Sequence, residues 1–211
     1  MEVKQNNLIS SLKIQPLIVV IRLENDFFDT PFKRDDLFLK INKISDYGIK
    51  HIEIGWDSNS GWMNLISEVK NNFKQINIGA ASINSKHSLE AILSLDLNYS
   101  MSPFFNKEIH TKAIEYNQLV IPGISNIEDF KEAINLGYKI IKIFPASKLG
   151  INFLNKLKSF KENDICFIGA GGIKSRDLKE LLKDGYNALA IGKELPNQRP
   201  DKDLEIWLKE F

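Results

Sequence analysis

The segment Ile140-Ile141-Lys142-Ile143-Phe144-Pro145 sets a single ammonium group in an almost wholly apolar run. Burial disfavours the charged form of lysine, and a lysine held as the free amine attacks carbonyl carbon. The same pattern also suits a strand lysine that faces outward, its stem along a helix and its head in water. A carboxyl group stands in a comparable setting, because Glu53 is flanked by Ile52 and Ile54. Successive strand side chains point to opposite faces, so if the two isoleucines pack against helices, Glu53 points the other way. A buried carboxyl has its pKa raised toward the range of a proton carrier. The alternative for Glu53 is a salt bridge at a strand end, with Lys50 or Arg22. A third feature is Ile168-Gly169-Ala170-Gly171-Gly172-Ile173, which precedes Ser175-Arg176-Asp177. Glycines between a strand and a helix expose backbone N–H groups that can hold an anion such as phosphate, although an ordinary tight turn uses the same glycines.

Groups of this kind need a frame, and the frame shows in the hydrophobic rhythm. Short β-branched runs recur at 17–21, 51–54, 76–79, 98–101, 119–121, 140–143, 165–168 and 188–191. Between and after them, 33–47, 61–73, 86–95, 107–116, 127–136, 152–160, 175–183 and 201–210 carry apolar residues three and four apart. Strand and helix in alternation signal βαβ units around a parallel sheet. Eight similar units without a linker fit a closed (β/α)8 TIM barrel better than an open doubly wound sheet. The expected organisation is one α/β domain over residues 1–211, with residues 1–15 as a lead-in helix. Ser125, Asn126 and Ser175 stand where helix N-caps are wanted, and Gly48, Gly137 and Gly185 where a left-handed residue ends a helix. Reactive groups of such barrels sit at the C-terminal ends of the strands. That rule selects Arg22, Glu53, Gly79 to Ser82, Ser102, Pro103, Pro122, Gly123, Lys142 with Phe144 and Pro145, Gly169 to Gly172, and Gly192 with Lys193.

Bulk properties narrow the partners. With 28 basic and 27 acidic residues among 211, the formal charge is +1, which favours neither nucleic acid nor an anionic membrane. A small molecule is the expected partner. The lone Cys166 cannot form an internal disulfide and is expected in the core; the N-terminus lacks a basic segment followed by a long apolar run, so the cytoplasm is the expected compartment. No stretch approaches the roughly 18 apolar residues of a membrane helix. His51, His87 and His110 lack metal-ligand spacing, so neither metal nor cofactor is expected. Trp56 and Trp62 either wall a pocket or cover the barrel rim.

The order and spacing of these segments resemble the 2-keto-3-deoxy-6-phosphogluconate aldolase family, with its 4-hydroxy-2-oxoglutarate and phosphogalactonate relatives. The likeness covers nearly the whole chain. It rests on Ile141-Lys142-Ile143-Phe144-Pro145-Ala146, similar to the family's Lys-x-Phe-Pro segment, and on Gly48-Ile49-Lys50-His51-Ile52-Glu53. Val120-Ile121-Pro122-Gly123-Ile124-Ser125, Met101-Ser102-Pro103 and Ala170-Gly171-Gly172-Ile173 fall at the matching intervals. The resemblance implies a class I aldolase that cleaves a 2-keto-3-deoxy sugar acid phosphate to pyruvate and an aldehyde such as glyceraldehyde 3-phosphate. Lys142 would form the imine and Glu53 would relay protons. Ser82, Pro103, Phe144 and Ala170 would contact substrate, Gly171, Gly172 and Gly192 would hold phosphate, and a homotrimer is implied. Departures cluster on pyruvate recognition. Where many members carry an arginine four residues after the glutamate stands Asp57, a like charge for a carboxylate, and Arg22 is the candidate substitute. Ala81-Ser82 replaces a Gly-Thr pair, and Ala170 replaces a threonine. Two rival readings stay open: an aldolase-like barrel that binds a phosphorylated metabolite without aldol turnover, and a phosphate-binding isomerase, which would leave Lys142 without a task.

Overall fold

Each β-branched run becomes a parallel strand, and the apolar stripe after it becomes the helix face laid on that strand. The computed structural model describes residues 1–160, 165–192 and 202–210. In chain order the elements are α1 (Glu2–Ile14), β1 (Leu17–Ile21), α2 (Phe32–Asp46), β2 (His51–Gly55), α3 (Trp62–Asn72) and β3 (Asn77–Ala81). There follow α4 (Lys86–Leu93), β4 (Tyr99–Met101), α5 (Lys107–Glu115), β5 (Val120–Ile121), β6 (Gly123–Ile124), α6 (Ile127–Asn135) and β7 (Ile140–Ile143). The described chain ends with α7 (Ala146–Lys158), β8 (Cys166–Ala170), a 3-10 turn Ser175–Asp177, α8 (Leu178–Asp184), β9 (Ala188–Ile191) and α9 (Lys202–Leu208).

The strands form one parallel sheet in the order β5-β4-β3-β2-β1-β9-β8-β7-β6. Its two ends, β5 and β6, flank Pro122 in the chain, so the sheet is a (β/α)8 barrel whose fifth strand is interrupted once. That explains nine segments where eight are expected. Proline has no N–H to donate to a ladder. The Pro122 carbonyl still accepts the Lys142 N–H at 2.9 Å, while Ser102 N–H donates to Ile121 on the other side. The wall therefore passes from β4 to β7 through a split strand.

Helix boundaries follow local chemistry. Gly48, Gly137 and Gly185 adopt φ of 78°, 84° and 112°, the left-handed ends expected for them. Asn126 is the N-cap of α6, its side chain accepting the Asp129 N–H at 2.8 Å, whereas Ser125 lies one residue too early. Ser175 opens the 3-10 turn and is preceded by Lys174 at the cap position, so it is not itself an N-cap. α7 starts at Ala146 rather than near residue 152, because a first turn forms before Gly150 breaks it at φ 68°. Lys193, and Asp201 at the expected start of the last helix, lie outside the described residues.

α1 lies across the N-terminal end of the barrel, with Leu8 and Leu12 buried. Two buried glutamines bind it there in the same way. Gln5 donates to the Gly137 carbonyl at 3.1 Å and accepts the Lys139 N–H at 2.7 Å. Gln15 donates to Gly48 at 2.9 Å and accepts from Lys50 at 2.7 Å. Each amide pairs with a Gly-x-Lys backbone ahead of a strand as a short strand would, satisfying groups that burial would otherwise leave bare. No helix among the described residues is long and apolar enough to cross a membrane, and among them no cluster of metal-ligating side chains forms.

Truncating either glutamine leaves a buried donor and acceptor unpaired, a loss of about 1–3 kcal/mol. Gln15→Ala is therefore expected to lower the melting temperature by on the order of 3–10 °C for a chain of this size. A thermal melt superimposable on that of the unsubstituted protein would rule out the clamp.

Candidate active site

Strand alternation turns Glu53 and Lys142 inward. On β2, Ile52 and Ile54 are fully buried, and on β7 Ile141 and Ile143 are fully buried, as befits positions packed beneath helices. The intervening Glu53 and Lys142 face a cavity of about 280 Å³ at the C-terminal end of the barrel. Arg22 at the end of β1 and Ser82 after β3 also line it, as do Pro103 after β4 and Phe144 after β7. Ala170, Gly171 and Gly172 from the end of β8, with Gly192 after β9, complete the substrate contacts that the family resemblance implies, whereas Gly79, Ala80, Ser102, Pro122, Gly123, Pro145 and Gly169, also at strand ends, do not line it. The outward reading of Lys142 is thereby excluded. No ion pair joins Glu53 to Lys50, Arg22 or Lys142 among the described residues.

Both central groups have left water, with relative exposures of 7% for Lys142 and 2% for Glu53. Burial holds the Lys142 amine below the usual lysine range, against the opposite pull of the Glu53 carboxylate, and Arg22 pushes it further down. Burial likewise holds the Glu53 carboxyl above the usual range, opposed by the charges of Lys142 and Arg22. Oε1 of Glu53 has no hydrogen-bond partner. Lys142 Nζ lies 5.3 Å from the centroid of the Phe144 ring, a cation–π contact available to the amine when it is protonated. A buried amine and a buried carboxyl that share a cavity without neutralising each other can attack a carbonyl and carry the protons that attack requires.

The rim carries groups able to donate hydrogen bonds to an anion. Arg22 Nη1 donates to Ser82 Oγ at 3.4 Å. Ser82 adopts φ 67°, sparsely populated for a residue with a side chain. Asp57 does not line the cavity: its carboxylate accepts the Asn59 N–H at 2.8 Å within the loop after β2. The like-charge clash expected from its sequence position therefore does not arise in the cavity. Across the ring, Gly171 and Gly172 adopt φ of 90° and 74°. A Cβ on Gly171 would lie 2.8 Å from the Phe144 ring, and one on Gly172 would lie 2.2 Å from Ser147 Oγ, so both positions exclude larger residues.

Lys174 also lines the cavity, outside the set expected from strand ends. Its signal was present, a cation two residues beyond a Gly-Gly pair, but the residue lies past the strand end and just ahead of the helix. Met101 and Val20 contribute apolar wall. Behind Pro103, His110 is fully buried and held to about 4 by burial, hence neutral. Its Nδ1 lies 2.7 Å from the Asn106 carbonyl, and Nε2 lies 3.1 Å from Ser102 Oγ, which accepts the Gly123 N–H at 3.1 Å. That chain ties the Ser102-Pro103 segment to β6, the register partner of Lys142.

Other sequence candidates have structural roles. Trp62 Nε1 donates to the Gly55 carbonyl at 2.8 Å, and Trp56 packs edge-on against Trp62 and His87; neither lines the cavity. A larger hollow of about 730 Å³ beside α1 is lined by Cys166, but burial pushes that thiol up to about 12 and leaves it unreactive.

The chain has relatives among known proteins. The family model for KDPG and KHG aldolase matches residues 8–203. The chain is 23% identical to the 2-dehydro-3-deoxy-6-phosphogalactonate aldolase of Escherichia coli (strain K12) over 180 residues, covering 85% of this chain and 84% of that protein. The structure of the 2-keto-3-deoxy-6-phosphogluconate aldolase of Zymomonas mobilis ZM4 with 3-phosphoglycerate aligns with TM-score 0.79 at 18% identity, covering 98% of this chain and 95% of the other. The KDPG aldolase from Legionella pneumophila, with pyruvate captured at low pH as a covalent carbinolamine intermediate, aligns with TM-score 0.71 at 21% identity, covering 84% and 82%. With a family match across nearly its whole length and a barrel of the same fold, the chain belongs to the KDPG and KHG aldolase family.

Proposed function

We propose that this chain is a class I aldolase that cleaves a 2-keto-3-deoxy sugar acid phosphate to pyruvate and an aldehyde such as glyceraldehyde 3-phosphate, without cofactor or metal. One observation carries the reading: a lysine held toward its free amine and a glutamate held toward its acid face the same cavity from β7 and β2. Lys142 Nζ adds to the C2 carbonyl. Glu53 gives its proton to the carbinolamine hydroxyl, which leaves as water and creates a protonated imine. The resulting carboxylate takes the proton of the C4 hydroxyl while the C3–C4 electron pair moves toward the imine, releasing the aldehyde and leaving an enamine. Glu53 then returns that proton to C3, and water frees pyruvate.

The substrate's two acidic ends have matching places. Arg22 with Ser82 would take the carboxylate in place of the family's arginine. The N–H groups around Gly171, Gly172 and Gly192, with the Lys174 ammonium, would take the phosphate. A homotrimer in the cytoplasm belongs to the same proposal, and sedimentation would measure the assembly. Ala170, a methyl in the cavity where relatives carry a hydroxyl, favours a second reading in which phosphorylated metabolite binds without turnover.

Borohydride added with pyruvate is expected to leave a stable adduct on Lys142, located by peptide mass spectrometry. Unmodified Lys142 at saturating pyruvate, together with thermal stabilisation by a sugar phosphate, would transfer support to the binding-only reading. Turnover is expected to fall by about 10²–10⁴ in Glu53→Gln, the usual loss of a general acid–base group.

The pH dependence has a definite sign. Attack requires free amine and expulsion of water requires the Glu53 acid, so the trapping rate should rise with pH through the lowered pKa of Lys142 and fall on the alkaline side as Glu53 ionises. The Glu53 carboxylate stabilises the ammonium, so Glu53→Gln should move that rise to lower pH. A rise that stays in place in the variant would show that the two groups are not coupled. Lys174→Met is expected to raise KM for a phosphorylated aldehyde about tenfold or more, the value of a hydrogen bond to a charged group. Pyruvate trapping should be unchanged in that variant, and an unchanged KM would remove Lys174 from the phosphate site.

A further inference from the structure

Tyr99 lies in the same layer of the barrel as Glu53. In register, Glu53 of β2 pairs with Gly79 of β3, and Gly79 pairs with Tyr99 of β4. The Tyr99 side chain is fully buried, and its ring rests on the bare backbone of Gly79, where a Cβ would come within 2.7 Å of the ring. Because that carbon is missing, the ring crosses β3 completely. Its hydroxyl reaches β2 and donates to the Ile52 carbonyl, one residue before Glu53, at 3.4 Å. For an O–H···O bond this is long, beyond the usual range of about 2.5–3.0 Å. Glu53 Oε1, meanwhile, is buried without a partner. Tyr99 itself does not line the cavity, whereas Met101, two residues further along β4, does. The phenol thus stands outside the cavity lining, holding a carbonyl weakly at the residue before Glu53, whose charge it feels and whose Oε1 holds nothing.

We propose that Tyr99 is a positioning residue for Glu53, its hydroxyl turning from the Ile52 carbonyl to the Glu53 carboxylate whenever the carboxylate ionises. Gly79 is the gap that lets it reach. A phenylalanine would fill the same volume without a donor, so the hydroxyl is the informative atom. Burial and the Glu53 charge both hold the phenol proton in place, so Tyr99 remains a donor across the working range. Lys142, Arg22 and Tyr99 are the charged or titratable groups that act on Glu53. In the proposed aldol cycle the carboxylate exists only between two proton transfers, and a donor available at that moment stabilises it without blocking its return to the acid. This consequence for turnover rests on the aldolase reading, but the hydrogen bond itself does not.

The test is Tyr99→Phe, which keeps the ring and its packing. The Glu53 carboxyl is followed by carbon NMR titration in ligand-free protein, and the pH profile of pyruvate trapping is followed separately. Losing a donor to the carboxylate should raise the Glu53 pKa by about one unit, a tenfold change in proton affinity. Where pyruvate is trapped, the fall in rate on the alkaline side, as Glu53 loses the proton that expels water, should move up by the same amount. A Glu53 that titrates at the same or lower pH in the variant overturns the proposal. If the unsubstituted protein traps no pyruvate, the aldolase reading fails while the titration still judges Tyr99.

Discussion

An amine and a carboxyl group, both taken out of water and neither neutralised by the other, are the constraint around which the barrel is organised. Their linkage to folding has a clear sign. Glu53 holds its proton more tightly when folded than unfolded, so its contribution to stability is full below the ordinary glutamate range and is lost as pH rises through the raised folded value. Lys142 has a folded pKa below its unfolded one, so its contribution is present only above the ordinary lysine range and is lost as pH falls through the lowered value. Near neutrality both groups oppose folding. The strands around them offset this through the continuous burial of Val19, Ile52, Ile54, Ile141 and Ile143.

That arrangement works only if water is controlled at both ends of the barrel. At the N-terminal end α1 closes the interior, with its two glutamines clamped to strand-entry backbones and Ser11 Oγ 2.8 Å from His51 Nε2. Burial holds His51 to about 4, so the first inward layer of β2 is neutral and brings no charge beneath Glu53. At the other end the cavity is open to substrate. Desolvation from below gives the lysine its lowered pKa, and access from above is what the proposed attack on a carbonyl requires.

Much of this was legible in the sequence because barrels impose two simple rules. Strand period fixes inside and outside, and strand ends fix depth. Those rules bring Arg22, Ser82, Pro103, Phe144 and the glycine turn into one cavity with Lys142 and Glu53. They fail where a position is counted along the chain but the chain has already turned. Asp57 occupies the offset of a substrate-binding arginine, yet the loop, held by Asp57 to Asn59 and by Asn59 to Gly61, keeps its carboxylate engaged locally. Beyond Pro122 the fifth strand resumes at Gly123–Ile124, past the end of the apolar run 119–121, and Gly150 divides a helix whose first turn carries no long apolar stripe. Tyr99 escaped for a different reason: a buried aromatic at strand period resembles core filling, and only the gap at Gly79 reveals how far its hydroxyl reaches.

The distribution of polar groups around the cavity also bears on the shape of what fits it. Arg22 and Ser82 follow β1 and β3, Gly171, Gly172 and Lys174 follow β8, and Gly192 follows β9, which lies between β8 and β1. Lys142 on β7 adjoins β8, and β4 offers Met101 and Pro103, without charge. Cationic or N–H-rich groups thus run around the ring from β8 through β9 and β1 to β3, with Lys142 on the strand beside one end of that arc and the apolar β4 wall beside the other. In the proposed reading, a chain-like acid with a second anionic group at its far end would engage both ends of that arc while presenting its carbonyl to the amine, because binding energy taken at remote groups is what holds a reacting carbon in place. In the proposed reaction the bond that breaks lies between those two anchors, so each product keeps one of them and neither retains the full set of contacts that held the intact substrate.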